Sequence, residues 1–505
     1  MRGVHSAIDD LRREVFAQVA RLAYEGGDYS RIDEIPYQIV PGEEARYRDN
    51  IFRERAVVVE RLRLACGLPM RSAAEFGPAS KGIEEASIPE KFYEPPLVNI
   101  IPFACNACPE KEIRISSNCQ GCVSRPCMNV CPKKAIYIGE DRRSHIDQSK
   151  CIKCGRCLNQ CPYDAISRME RPCAAACGMD AIGSDEYGRA KIDYDKCVSC
   201  GMCLVNCPFG AIADKSQIFQ LIQAMRQGDK VIALVAPAFV NQFKGATPPK
   251  LKKAMRILGF SDVVEVAIGA DLCTVEEAHD FLENVPKNIP WMATSCCPAW
   301  SVMAKKLYPE FSDRISMALT PMVITARLVK KDHPDARVVF VGPCAAKKLE
   351  ASRRAVRSDV DFVLTFEELN GMFTAKEIDF NTITPDECDL DFTTGTASGR
   401  GFAVVGGVAG AVKEYISRLD PELEVKTEFG DGLKECKKML LFAKKGMRDG
   451  YLLEGMACPG GCVAGAGTIA PVVQATAAVN QYAASAEIRS AGDSPLLERL
   501  KEAEK

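Results

Sequence analysis

Over residues 7–24 and again over 45–66, apolar positions recur every three to four residues, with Arg, Glu and Asp filling the opposite face. Both stretches predict amphipathic helices. No motif occurs before about residue 95, so 1–95 is expected to form a helical N-terminal region. A proline-bearing stretch at 88–102 breaks the periodicity. From about residue 230 the rhythm changes to short apolar runs (VIALVAP, DVVEVAIG, RVVFVG) alternating with helical stretches at 250–258, 276–284 and from 349 onward. That alternation predicts parallel strands joined by crossover helices. A charged segment, SPLLERLKEAEK, predicts a helical tail within 486–505. The longest apolar runs, 231–240 and 401–412, fall short of the ~18 to 20 residues that cross a bilayer, so no membrane partner is expected.

Between the two patterns lies a segment, 105–207, that holds 16 of the 25 cysteines. The predicted organisation is therefore a helical region (1–95), a cysteine-dense domain (96–225), an α/β domain (226–485) and the tail. Several domains suit 505 residues. A composition of 47% apolar and 26% charged residues suits packed, soluble ones. A formal charge of -2 gives no reason to expect nucleic acid as a partner. The first residues, MRGVHSAIDDLRREVF, read as neither a secretory nor a twin-arginine leader, and a cytoplasmic location is the expectation. In that reducing setting, 25 cysteines point to metal rather than to disulfides. The four histidines, His5, His145, His279 and His333, form no C2H2-like arrangement, which favours thiolate-only iron-sulfur sites over zinc.

The run Cys151-x2-Cys154-x2-Cys157-x3-Cys161-Pro162 has bacterial ferredoxin spacing, and Cys197-x2-Cys200-x2-Cys203-x3-Cys207-Pro208 repeats it 46 residues later. Three closely spaced thiolates wrap one face of a 4Fe-4S cubane, and the fourth reaches a partner cluster. The partners precede each run by the same offset, in RPCMNVC (Cys127, Cys131) and RPCAAAC (Cys173, Cys177). A two-cluster ferredoxin-like α+β unit has thus been duplicated. In the first copy the expected ligand sets are Cys119, Cys122, Cys127 with Cys161, and Cys151, Cys154, Cys157 with Cys131. In the second, Cys197, Cys200 and Cys203 join Cys177, but Ala165 and Arg168 stand where Cys119 and Cys122 have their counterparts. Cys105 and Cys108, a CxxC ahead of the first copy, are expected to complete the remaining set with Cys173 and Cys207. The alternative is that Cys105, Cys108 and Cys173 are buried free thiols or a zinc knuckle. Three to four such clusters are predicted in all.

In the α/β half, cysteines follow the ends of apolar runs, at WMATSCCP, VVFVGPC and YLLEGMAC. Ligands of open α/β sheets sit beyond the carboxyl ends of the strands, so four cysteines there point to one further 4Fe-4S site. The segments TSCCPAW (294–300), GPCAAKKLE (342–350) and EGMACPGGCVAGAG (454–467) resemble, in order, the three signatures of FeFe hydrogenases. With the ferredoxin half, the likeness covers about 100–480. It implies a two-lobed α/β catalytic domain and an H-cluster, a cubane joined through a cysteine sulfur to a two-iron unit bearing CO, cyanide and azadithiolate. The implied ligands are Cys297, Cys344, Cys458 and Cys462, with Cys462 as the bridge.

The resemblance also assigns roles around the cluster. Cys296 passes protons to the azadithiolate amine, Lys347 donates to a cyanide, Met456 packs near the bridging carbonyl, and Ala236 and Pro237 lie against the second cyanide. GADLCTVEEAHD (269–280) resembles the segment that supplies two relay acids, here Glu277 and Asp280 with Ser316 between them. Positions three apart share a helical face, which suits a relay and equally a solvated acidic face. The implied reaction is reversible formation of H2 from protons and electrons, with ferredoxin or a similar carrier and dedicated maturation proteins as partners. Gly342 where many members have methionine, AGAG in place of GGG, and Asp280 in place of glutamate suggest a divergent branch. A hydrogen-sensing member and an iron-sulfur assembly or carrier relative are the alternatives. Cys66, Cys273, Cys388 and Cys436 are expected to be structural thiols.

Overall fold

The computed structural model describes residues 5–72, 74, 77–92, 94–390 and 395–498. The first helix, Ala7–Glu25, starts where Ser6 and Asp9 exchange hydrogen bonds in a capping box, and it stops at Gly26. The second runs Ile51–Ala65 and begins later than the periodicity from 45 suggests. Asn50 is extended there, and its side chain accepts the amide of Arg53 at 2.8 Å, fixing the start. The buried faces of these helices, including Val15, Phe16, Val19, Val58 and Leu62, join the apolar core of the α/β half, so the N-terminal region shares that core.

The cysteine-dense segment carries eight short strands: β1 (Val98–Ile100), β2 (Glu112–Ile115), β3 (Ile136–Ile138), β4 (Ser144–Ile146), β5 (Ile166–Met169), β6 (Ile182–Ser184), β7 (Ala190–Ile192) and β8 (Ile212–Asp214). They pair antiparallel as β1 with β8, β2 with β5, β3 with β4 and β6 with β7. The hairpins β3–β4 and β6–β7 share one register, Ile136 opposite Ile146 and Ile182 opposite Ile192, which is the 46-residue repeat made visible. Cysteine side chains pack with isoleucines in the small cores between these ribbons.

The α/β half has two parallel sheets. Strands β9 (Val231–Val235), β10 (Asp262–Glu265), β12 (Arg337–Gly342) and β13 (Phe362–Thr365) form one, in the order β10-β9-β12-β13. Strands β11 (Met292–Ala293), β14 (Lys426–Asp431) and β15 (Tyr451–Met456) form the other, in the order β11-β15-β14. The expected helix at 250–258 is Pro248–Leu258, whereas that at 276–284 begins much earlier, as Ala267–Asn284. Its first eight residues are buried, so they show no polar stripe from which a period could be read. Of the helical tail expected within 486–505, residues 499–505 lie outside the described residues, and the described part shows a short 3-10 turn at Ala491–Asp493.

A buried lysine ties the two halves together. The ammonium of Lys348 donates to Asp214 at the end of β8 (2.7 Å), to the carbonyl of Lys215 (2.8 Å) and to Glu368 (2.7 Å). Glu368 also caps the helix Phe366–Ala375 through Thr365. No helix among the described residues is long and apolar enough to cross a membrane.

Candidate metal centre

Each sheet delivers its strand ends to one cavity. Ala236 and Pro237 follow β9, Cys344 follows β12, Cys296 and Cys297 come soon after β11, and Met456 ends β15 just ahead of Cys458. Cys297 precedes Pro298, whose fixed φ suits the first position of the helix Pro298–Leu307. Cys297, Cys344, Cys458 and Cys462 all line the cavity, as do Cys296, Lys347, Met456, Ala236 and Pro237. About 860 Å³ of space free of protein atoms lies among them, with largely apolar walls. Cys200 of the second ferredoxin copy reaches the same cavity.

Burial pushes the Cys344 thiol up to about 11 and those of Cys297, Cys458 and Cys462 upward as well. Such thiols become thiolates only against positive charge, which bound iron provides. Their spacing separates the possible metals. Four sulfurs on one zinc lie about 3.8 Å apart, given Zn–S bonds of about 2.3 Å. Among the described residues, the trio with all ligand atoms within 4.8 Å of one another is Asp386, Cys388 and Asp389, and none of the cavity or ferredoxin cysteines forms one. The wider spacing fits a multi-iron cluster.

Gly342, where the sequence departs from the common methionine, has a physical counterpart. A Cβ there would stand 2.5 Å from the ring of Phe340 and 3.2 Å from the Cβ of Ala236. The Phe340 ring, which lines the cavity, fills the room a longer side chain at 342 would need.

Lys347 is held in place by its neighbours. Its ammonium pairs with Glu350 at 2.7 Å and donates to the carbonyl of Cys296 at 3.4 Å, while Thr320 donates to Glu350 at 2.7 Å. Glu350 and its charge keep Lys347 protonated despite burial. The sequence reading passed over Glu350, although it stands three residues after Lys347 in the same segment.

Glu277 and Asp280 face Ser316 from one helix. Glu277 is fully buried, one oxygen accepts the Ser295 amide at 3.0 Å, and the other has no hydrogen-bond partner. Burial raises its carboxyl to about 7, against a smaller opposing pull from Ser295 and Ser316. Ser316 donates to Asp280 at 3.5 Å, and Asp280 is half-buried, its carboxyl raised by desolvation. The Cys296 thiol is lifted by burial first and then by the charge of Glu277. Ser316 thus lies between Glu277 and Asp280, and the charge of Glu277 acts on Cys296 at the cavity. Glu454, unnoticed in the sequence, lies nearby in β15. Its two oxygens accept the amides of Gly406 and Ala409, each at 2.8 Å, and burial raises its carboxyl to about 7. An acid inside an otherwise apolar strand is the signal that could have found it.

Two of the four expected ferredoxin sets each line a single cavity. Cys131, Cys151, Cys154 and Cys157 line one small cavity, and Cys105, Cys108, Cys173 and Cys207 line another. Cys203 is lifted by burial and then by Cys200, Cys197 and Cys177. Cys119 and Cys127 both meet Ser144, and Cys161 packs in the same apolar cluster as Cys127. Cys66, Cys273 and Cys436 are buried, and Cys388 is exposed.

Residues 229–466 match the family described as iron only hydrogenase large subunit, C-terminal domain. Residues 116–170 match an LdpA Fe-S cluster-binding domain, and 189–212 a 4Fe-4S binding domain. The chain is 30% identical to iron hydrogenase 1 of Clostridium pasteurianum over 425 residues, 74% of this chain and 73% of that protein. It is also 30% identical to the periplasmic Fe hydrogenase large subunit of Nitratidesulfovibrio vulgaris, over 64% of this chain and 85% of that one. A probable cytosolic Fe-S cluster assembly factor of Aedes aegypti is 28% identical over 42% of this chain and 55% of its own length. With two hydrogenases matched across more than two thirds of their length, and the cavity thiols within the matched region, the chain belongs to the iron-only hydrogenase family.

Proposed function

We propose that the chain is a working hydrogenase that interconverts H2 with two protons and two electrons at an H-cluster held by Cys297, Cys344, Cys458 and Cys462. The observation that supports this reading is the cavity that Cys296, Cys297, Cys344, Cys458, Cys462 and Lys347 line together, with the buried Glu277 near enough for its charge to act on the Cys296 thiol. When bound, the H-cluster supplies an open iron and a bridging amine at which H2 is split or formed. The protein's residues do the rest. Cys296 exchanges a proton at its Sγ with the cavity on one side and with the free Glu277 oxygen on the other, and the Ser316 hydroxyl hands it on to Asp280. A carboxyl near 7 takes and releases a proton with little cost at neutral pH. Lys347, steadied by Glu350, offers a fixed ammonium to an anionic iron ligand. The apolar walls, Met456, Phe340, Ala236 and Pro237 among them, exclude water.

The thiol sets above would hold 4Fe-4S clusters, which would pass single electrons to and from ferredoxin or a similar carrier, and maturation proteins would supply the two-iron unit. Twenty-five free thiols suit a reducing cytoplasm. The assembly-factor likeness offers a second reading, a carrier without turnover. The presence of Cys296, Lys347, Met456 and Cys462 around the cavity favours catalysis. Infrared spectra of the matured protein are expected to show CO and cyanide bands, and reduced viologen is expected to drive H2 release. Matured protein without those bands would end the hydrogenase reading.

A further inference from the structure

The N-terminal helical region presses on one cluster site in particular. Val57 of the helix Ile51–Ala65 shares a small apolar core with Ile101, Ala104 and Ala211, against which Cys105 and Cys207 pack. Around that core, arginines hold the backbone that carries the thiols. Arg48 donates to the carbonyls of Ala104 (3.3 Å) and Phe209 (2.8 Å), and Arg61 donates to that of Gly210. From the opposite side Arg171 donates to the carbonyls of Cys108 and Gly183, each at 2.9 Å. Arg61 and Arg171 are buried, and each has an Nε without a hydrogen-bond partner.

Among the described residues none of the three forms an ion pair. The acids that act on Arg48 and Arg61 are engaged elsewhere. Asp49 pairs with Arg53, Glu54 accepts the amides of Arg46 and Tyr47, and Glu367 pairs with Arg12. The duplicated unit supplies its own control, because Arg125, 46 residues before Arg171, is exposed. Among the described residues, the first copy's counterpart of Arg171 is thus not buried beside its thiols.

We propose that Arg48 and Arg61 of the N-terminal region, with Arg171, raise the reduction potential of the cluster at Cys105, Cys108, Cys173 and Cys207, making it the point of the relay where an electron rests. This rests on the reading that those four thiols hold a 4Fe-4S cluster. Reduction adds one negative charge to the cluster, taken from a neighbouring reduced cluster that is oxidised by one electron. Fixed, unpaired cations in a low-dielectric site favour that change. The N-terminal region thereby becomes part of the electron path, beyond its contribution to the core.

Redox titration of the full, cluster-loaded chain followed by electron paramagnetic resonance tests the idea. Arg48→Gln is expected to lower one midpoint about tenfold in reduced-to-oxidised ratio, which for one electron is about 59 mV. The other midpoints and the iron content stay fixed, and Arg48→Lys restores the value. Unchanged midpoints, a uniform shift of all signals, lost iron, or a shift that lysine fails to rescue would each overturn the proposal. Iron counting on Cys105→Ala with Cys108→Ala separates the underlying reading. Iron equal to the parent would mean that no cluster sits there, whereas a lost cluster with an unmoved Arg48→Gln midpoint would sink the tuning alone.

Discussion

The two ferredoxin-type copies share cysteine spacing and hairpin register, yet they occupy different surroundings. In the first, Cys154 is exposed and Ile152 is 56% exposed, and Val123, Tyr137 and Tyr163 also face water. In the second, the counterpart of Ile152 is Val198, 2% exposed, and the counterpart of Cys154 is Cys200, which reaches the four-cysteine cavity. Lys306 donates to the carbonyl of Cys197, Lys434 to that of Ala175, and Lys437 pairs with Asp180, so residues of the α/β half grip the second copy along its length. Spacing decides that a cluster binds. Surroundings then distinguish the copies, because solvent and nearby charge set a cluster's potential.

The sharpest break of that comparison is a matched pair of ligand changes. Cys200→Ser is expected to lower viologen-driven H2 release by well over the ~100-fold typical of lesions around metal ligands, and Cys154→Ser by far less. Equal losses would mean that burial does not distinguish the copies. Next comes a lesion that should leave both copies untouched. Glu277→Gln is expected to cut turnover by roughly 10²–10⁴-fold with every iron-sulfur resonance intact, and a loss below tenfold would move the proton path elsewhere.

Lys348→Met attacks the junction of the second copy with the α/β half. It leaves Asp214 and Glu368 buried without their cation, at about 3–5 kcal/mol, read from denaturant unfolding. Amide exchange should quicken in β8 and leave β3–β4 unchanged, and uniform exchange would show that the lysine is no junction.

The smallest expected effect is one of sign with pH. In the buried half, Glu454 has a folded value of about 7, above its unfolded value, so its stabilising contribution is complete below about pH 4 and lost as pH rises through 7. At most about 3 kcal/mol is involved. Thermal unfolding at pH 8.5 against pH 5.5 should show a decline that Glu454→Gln flattens. In the exposed copy Asp147 is held near 2 by Ser149 and then Lys150, so its contribution is lost only as pH falls toward 2. A Glu454→Gln protein with the parent's pH slope would assign the decline to other groups.

Much of this could be read in the chain because cysteine ligands announce themselves by spacing and strand ends by apolar runs. Even the borrowed pair, Cys105 and Cys108, followed from counting what the second copy lacked. The late start of the helix Ile51–Ala65 was hidden because amphipathic spacing extends past a cap, and the early start of Ala267–Asn284 because a stretch buried on all sides has no period. Strand β14, whose residues are mostly exposed at a sheet edge, has too little apolar pattern to stand out. Lys348 stayed hidden for a different reason. Its importance comes from Asp214 and Glu368, partners distant in sequence, and no local pattern records them.

Gly201 and Gly155 occupy the same place in the two copies, both with positive φ. A Cβ on Gly155 would meet the flexible tip of Arg168, whereas one on Gly201 would stand 2.4 Å from the Cβ of Ala466 in the loop that follows Cys462. In the language of descent, the first copy keeps a surface that answers mainly to solvent. The second has become entrenched, with two thiols supplied from outside its own repeat at its flank and a foreign loop against its glycine, so that each further substitution there must be matched in another part of the chain.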